Sequence, residues 1–303
     1  MSASTAMSEF RAAGTDLSER RRTGVSRGPI VDLVASSETT GIGWGADGAA
    51  RIGAATSIAA VAADAQVVRA YPGLAAAAGG LATPQIRHLA TVGGNLAQRS
   101  RCWYFRNPHF SCFKKGGSEC PSRSGNHLYG VAFDLGPCVA PHPSTLAAAL
   151  LAYDAKVATD KRSGLSIADV LGDGKNGASD HALQAGEAIT SIQLPAPLAN
   201  ERAFYRRAIS RTHAEWPLVE VVVRAVVAGG RFETVAVAAG GIAPVPLRLT
   251  NVERASIGQP ATEATVESAA KAATAGANPL PMTGYKLDLL QGLVRDLLGR
   301  FAG

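Results

Sequence analysis

All four cysteines of the chain fall in one stretch, at Cys102, Cys112, Cys120 and Cys138, and none occurs elsewhere in its 303 residues. Around them, from Arg99 to Pro143, Gly, Pro, Ser, Asn, Lys and Arg dominate and hydrophobic periodicity vanishes. A segment this long without a pattern of its own is held by something other than an apolar core, or it serves a function. The gaps of nine, seven and seventeen residues lack the paired C-x2-4-C knuckles of structural zinc and the C-x2-C-x2-C run of ferredoxins. Two disulfides suit an exported miniature, and this chain is long enough to do without staples. Four unconnected thiols call for apolar surroundings that the segment does not offer. Spacing alone leaves disulfides, zinc, free thiols and a four-cysteine iron–sulfur cluster all open.

Mixed α/β material flanks the segment. From Pro29 to Val34 onward, short β-branched runs alternate with alanine-rich stretches. Residues 51–55 read as a strand and Thr56 as a helix N-cap. Ile58, Val61, Ala62 and Ala65 then form the buried stripe of the next helix, and Leu74 to Leu81 forms another. After the cysteines, the pattern predicts a helix over 144–153, a strand over 156–159 and a strand over 186–195. Pro195-Ala196-Pro197 closes that strand and marks a boundary. We therefore expect domains over 1–197 and 198–303, with the cysteine loop at 99–143 inside the first. Strands follow over 204–209, 218–227 and 233–239, then helices over 262–274 and 284–301, the last with Leu290, Leu293, Val294, Leu297 and Leu298 on one face. The order strands-then-helices gives an α+β second domain.

A formal charge of +6, with acidic residues interspersed, argues against a nucleic-acid footprint and is compatible with docking to an acidic partner. No run reaches the roughly 18 apolar residues of a membrane span, and the residues after Arg20-Arg21-Arg22 are too polar for an export signal. The expected location is the cytoplasm, or the periplasm by co-export with a signal-bearing partner. A self-sufficient nicotinamide dehydrogenase is disfavoured: no G-x-G-x-x-G follows a strand, and Gly41-Ile42-Gly43-Trp44-Gly45-Ala46 runs into another short strand.

Upstream of the cysteines stands Gln85-Ile86-Arg87, running into Thr91-Val92-Gly93-Gly94-Asn95. A Thr-x-Gly-Gly-Asn turn is expected to leave backbone N–H groups free for an anion, glycine letting the backbone approach a pyrophosphate. This motif resembles the second flavin-binding motif of the medium subunits of the xanthine dehydrogenase and aldehyde oxidoreductase family. Phe10-Arg11-Ala12-Ala13-Gly14-Thr15-Asp16-Leu17 is similar to the first, a loop wrapping the FAD pyrophosphate. A branch of that family inserts a four-cysteine loop carrying a [4Fe-4S] cluster after the second motif. It includes the periplasmic aldehyde oxidoreductases and the 4-hydroxybenzoyl-CoA reductases, and residues 95–105 and 138–144 are most similar to the aldehyde oxidoreductase members.

The resemblance implies a two-domain FAD-binding fold of the CO dehydrogenase flavoprotein type, with a smaller C-terminal domain of sheet plus helices. It implies FAD contacts from Ala12, Ala13, Gly14, Thr15, Asp16, Leu17, Thr91, Gly93, Gly94, Asn95, Thr145, Ile189 and Arg207, and cluster ligation by Cys102, Cys112, Cys120 and Cys138. Ile189 would pack on the isoalloxazine ring, and Arg207 stands where the family commonly has a lysine near the flavin. No residue of this chain is expected to act as a catalytic acid or base for the hydroxylation itself. A molybdopterin-binding large subunit would oxidise an aldehyde or purine-like substrate, a small [2Fe-2S] subunit would relay the electrons to FAD here, and an external acceptor would receive them. The alternative is a structural subunit of such a complex with a weakened or lost flavin site.

Three departures bear on that alternative. Ala13 replaces a glycine of the pyrophosphate loop, Thr145 replaces an aspartate, and the strand and helix that the family places before the first motif are missing ahead of residue 10. His88, His109, His127 and His142 surround the cysteines and read as surface or hydrogen-bonding residues, since four thiolates complete a site. Trp103, Tyr104 and Phe105 read as its apolar shield. Trp216, with Glu215 and His213, falls where the family places residues on the exposed face of the flavin, or else packs as an aromatic of the second domain.

Overall fold

A computed structural model describes residues 8–210 and 215–302. The chain opens with β1 (Glu9–Arg11), α1 (Leu17–Arg22) and β2 (Ile30–Asp32), the two strands pairing in parallel across the helix. Next come β3 (Ile42–Trp44), β4 (Ala50–Gly53) and a run of short helices: α2 (Ile58–Ala63), α3 (Ala65–Ala70), α4 (Pro72–Gly80), α5 (Pro84–Leu89) and α6 (Val92–Leu96). Ser57, not Thr56, caps α2, accepting from the Ala60 N–H, while the Thr56 hydroxyl donates to the Gly41 carbonyl. The expected single helix through Ala65 breaks at Asp64, whose carboxylate accepts from the N–H groups of Gln66 and Val67 and starts α3.

The cysteine segment is irregular as expected, broken only by the short turns α7 (Trp103–Arg106), Phe113–Lys115 and α8 (Pro121–Ser124). It is anchored at its far end by the second domain. Ala132 and Phe133 donate to the Ile242 carbonyl, His142 to that of Ala243, and the Thr283 hydroxyl to that of Val131. Beyond it lie α9 (Thr145–Ala152), β5 (Lys156–Thr159), β6 (Leu165–Ser166), α10 (Ile167–Leu171) and β7 (Ile189–Leu194). The order β3-β4-β7-β5-β6 makes one antiparallel sheet.

The second domain pairs β8 (Arg202–Ala208), β9 (Val219–Ala228), β10 (Arg231–Gly240) and β11 (Leu247–Arg248) in the antiparallel order β11-β10-β9-β8. Three helices follow, α11 (Thr250–Ser256), α12 (Glu263–Ala272) and α13 (Tyr285–Gly299). The sheet is apolar on both faces because both are covered. Val219, Val221, Val223 and Ala225 turn to the core beneath the three helices, whereas Val222 turns to that of the first domain. On that side α4 and α9 pack against β8, β9 and β10. Small residues make this close approach possible: a Cβ on Gly73 would lie 3.1 Å from the Tyr153 hydroxyl and 3.2 Å from Val222. The final helix buries Leu290, Leu293, Val294, Leu297 and Leu298, as its spacing predicts. Among the described residues no helix is long and apolar enough to cross a membrane.

Candidate functional site

The first glycine loop leaves β1 and turns into α1. Gly14 takes φ +75°, a left-handed conformation that costs a side chain about 1–2 kcal/mol. Ala13 is not among the residues with positive φ, so alanine is tolerated there without strain. The backbone N–H groups of Ala13, Gly14 and Thr15 have no partner among the described residues. Three consecutive free N–H groups around a left-handed residue form an anion-binding concavity.

The second loop behaves differently from expectation. Its N–H groups are already engaged: Val92 donates to the Thr56 carbonyl, Gly93 to that of Ala54, Gly94 to the Thr91 hydroxyl and Asn95 to the Thr91 carbonyl. The glycine at 93 is needed for proximity, since a Cβ would stand 2.8 Å from that of Ala54. This loop supplies a wall for a bound group, and the first supplies the donors.

Both loops open on one cavity of about 750 Å³. Ala12, Ala13, Gly14, Thr15, Asp16, Leu17, Thr91, Gly93, Gly94 and Ile189 all line it. Arg27 and His181, which the sequence did not single out, line it too. Among the described residues, Arg27 is the only arginine of the lining without a carboxylate partner, and it donates to the Gly24 carbonyl. His181 is largely buried, with Nδ1 unpartnered, and burial lowers its pKa.

Three expected contact residues lie elsewhere. The Asn95 side-chain oxygen accepts from the Ser144 hydroxyl at 2.7 Å and the Leu146 N–H at 3.3 Å, joining α6 to the start of α9. Thr145 is buried at the domain interface, its hydroxyl on the Tyr205–Glu220 pair. Arg207 does not line this cavity, and its charge acts on that same pair. His213 lies outside the described residues.

Asp16 turns its carboxylate toward the cysteine segment. It is 2.6 Å from Arg106, 3.1 Å from Arg101 and 3.0 Å from Arg20, and it also accepts from the Arg99 N–H. Burial pushes its pKa up, but the three guanidinium groups outweigh this and hold it below the usual range. Glu19 on α1 pairs with Arg101 and Arg106 as well. Farther along, Asp180 takes Arg99 and Lys114, and these cations overcome its desolvation to keep it well below the ordinary carboxylate value. The cavity and the cysteine segment are thus bound together by ion pairs.

The four cysteines are free thiols, with Cys112 and Cys138 buried. The Cys138 thiol beside it lowers the Cys120 pKa, and Cys102 feels both Cys120 and Cys112. Backbone N–H groups are aimed at the sulfurs: Tyr104 and Phe105 at Cys102, Ser122, Arg123 and Val139 at Cys120, and Ala140 at Cys138. Such donors favour the thiolate. Among the described residues, no three His, Cys, Asp or Glu side chains converge on one ion. A cubane instead spreads its thiolates over four corners, and this donor set is compatible with one.

His88 and His109 are exposed, while His127 and His142 are buried. Phe105 is buried between Arg99 and Arg106, whereas Trp103 is 61% exposed and not the shield that was expected. Trp216 carries the Arg101 guanidinium 4.6 Å from its ring centroid.

Comparison with known proteins agrees in both halves. Residues 4–197 match the family described as the FAD binding domain in molybdopterin dehydrogenase, and residues 203–301 the CO dehydrogenase flavoprotein C-terminal domain. The aldehyde oxidoreductase FAD-binding subunit of Escherichia coli (strain K12) is 35% identical over 210 residues, 67% of this chain and 64% of that protein. The xanthine dehydrogenase FAD-binding subunit of Escherichia coli O157:H7 is 45% identical over 67 residues, 22% of this chain and 23% of that one. Among solved structures, carbon monoxide dehydrogenase from Hydrogenophaga pseudoflava superposes with a TM-score of 0.74 at 21% identity, covering 97% of this chain and 89% of that one. Quinoline 2-oxidoreductase from Pseudomonas putida 86 gives 0.74 at 19% identity, covering 97% and 89%. These two likenesses establish the fold.

Proposed function

The chain belongs to the family of FAD-binding subunits of the molybdenum hydroxylases, and from that membership we propose that it is the flavin- and [4Fe-4S]-carrying electron-transfer subunit of an aldehyde oxidoreductase. The observation that carries the reading is the 750 Å³ cavity, which gathers two glycine loops some eighty residues apart and presents the free N–H groups of Ala13, Gly14 and Thr15. Those donors, with Arg27 beside them, would hold the pyrophosphate of FAD. Ile189 would give the ring an apolar contact, and Gly93 lets the opposite wall close up. When bound, the flavin supplies the exchange of electrons, and the chain's own part is to hold it and exclude water.

The cysteines would hold the cluster, supported by the N–H groups aimed at their sulfurs. A molybdopterin-binding large subunit and a [2Fe-2S] small subunit would complete the assembly, with an aldehyde or purine-like compound oxidised on the former and an external acceptor reduced at the flavin. The assembly would reside in the cytoplasm, or in the periplasm after co-export. The test is to purify the chain with co-expressed partners and measure flavin and iron per polypeptide. The expected result is about one flavin and, over and above the iron of the [2Fe-2S] subunit, about four irons for each copy of this chain. No iron beyond that of the [2Fe-2S] subunit, with flavin present, removes the cluster. Both absent leaves the structural-subunit alternative.

A further inference from the structure

A second cavity, of about 410 Å³, lies where the cysteine segment meets the second domain. That volume is within the roughly 300–1,000 Å³ of small-molecule pockets. Of the four cysteines only Cys102 lines it.

Its floor holds a buried cation. Lys286, at the start of α13, is 1% exposed, and its Nζ donates to the Gly241 carbonyl at 2.7 Å and that of Tyr129 at 3.4 Å. An ammonium has three N–H bonds, so one is left for another acceptor. Burial alone lowers its pKa, to about 7, with no carboxylate contributing. Glu215 is the one acidic side chain among the described residues of the lining.

Two buried histidines add polar atoms without partners. His142 Nδ1 accepts from the Ser144 N–H at 3.2 Å, which puts the ring proton on Nε2, and Nε2 is buried and unpaired. His127 Nδ1 faces the Ser122 and Gly125 carbonyls at 3.1 and 3.0 Å and so carries its proton, leaving Nε2 as an unpaired acceptor. Lys286, His142 and His127 all line one space, whose other walls include Tyr104, Tyr129 and Trp216. Buried polar atoms without partners in a native structure point to a missing ligand or water, and aromatic walls select an apolar body.

We propose that this cavity binds a small aromatic carboxylate reversibly, its carboxylate on Lys286 and the His142 Nε2–H and its ring against the aromatic walls. His127 Nε2 is left to accept from a hydroxyl on the ring. The site does not depend on the flavin reading, because its residues are separate from those of the larger cavity.

Calorimetric titration of the full chain, with FAD added and its partners co-expressed, tests this with benzoate and its neutral isostere benzamide. Benzoate is expected to bind saturably, and benzamide at least about tenfold more weakly, because it cannot offset the buried ammonium. Lys286→Met is expected to weaken benzoate by a similar factor and to leave benzamide unchanged. Equal binding of the two probes, no binding of benzoate, or its complete displacement by FAD would each overturn the proposal. The comparison of probes on the native chain decides the matter even if the variant does not fold.

Discussion

The Arg106 guanidinium stands 2.6 Å from the Asp16 carboxylate, so the loop with the free N–H groups and the segment with the cysteines share an ion pair across 90 residues of sequence. Asp16 is also held by Arg20 and Arg101, and neutralising it leaves Arg101 and Arg106 with Glu19 alone and Arg20 with Glu9 alone. Asp16→Asn is therefore expected to cost about 3 kcal/mol, as for breaking a buried pair, and to lower the melting temperature by about 5–10 °C. Because the loop is released as well, flavin retention on gel filtration should fall. An unchanged melting temperature would show that the network is decorative. The sign with pH follows from the depressed pKa: the stabilisation is present above the ordinary value of about 3.9 and is lost as pH falls through the lower folded value.

The two glycine loops should respond differently to alanine. At Gly14 the left-handed φ of +75° makes any Cβ unfavourable by about 1–2 kcal/mol, and relief of that strain turns the three free N–H groups away. Gly14→Ala is expected to weaken FAD binding about tenfold or more, with only a few degrees lost in melting temperature. Gly93→Ala instead drives a Cβ against Ala54 and costs about 1–3 kcal/mol of fold stability. Fluorescence titration with FAD beside thermal melts separates the two, and identical behaviour would contradict the division of labour between the loops.

Cysteine substitution should uncouple the two cofactors. The anchors of Asp16, namely the Arg99 N–H, Arg101 and Arg106, lie at the Cys102 end of the segment. Cys120→Ser is therefore expected to abolish bound iron while FAD affinity stays within about threefold of the parent, a margin of well under 1 kcal/mol. Loss of both together would mean that the cluster also orders the flavin loop.

Local patterns made the glycine loops, the cysteine segment and the long strands legible, because each rests on neighbours in sequence. The stripe of α13 follows from its period, and the extent of β9 from its β-branched run, though not its burial on both faces. What sequence could not reveal was long-range. Asp16 read as a cofactor contact, yet its partners at Arg101 and Arg106 come from another element. Thr145 was placed by analogy with an aspartate, and the fold turns it to Tyr205 and Glu220. In the second loop the Val92 and Gly93 N–H groups are taken by the Thr56 and Ala54 carbonyls, about forty residues upstream, whereas those of Gly94 and Asn95 go to nearby Thr91. His181 sits in a stretch with neither helical nor strand period, where no pattern marks it.

Glu220 offers a sign test of the domain interface. It is 1% exposed, accepts from the Tyr205 hydroxyl at 2.8 Å, and faces Thr145 with Arg207 nearby. Burial raises its pKa to about 7, and these neighbours only partly offset that. A carboxyl whose folded pKa is raised favours folding while protonated. Its contribution is fully present below the unfolded value of about 4.3 and is lost as pH rises through the folded value of about 7. The loss is on the order of 3 kcal/mol at most. Glu220→Gln keeps an oxygen for Tyr205 and removes the charge, so it is expected to raise stability at pH 8 and to flatten the slope between pH 4.5 and 7.5. Denaturant melts of parent and variant at pH 5 and 8 measure this, and a variant less stable than the parent at pH 8 would mean that Arg207 compensates the charge in full.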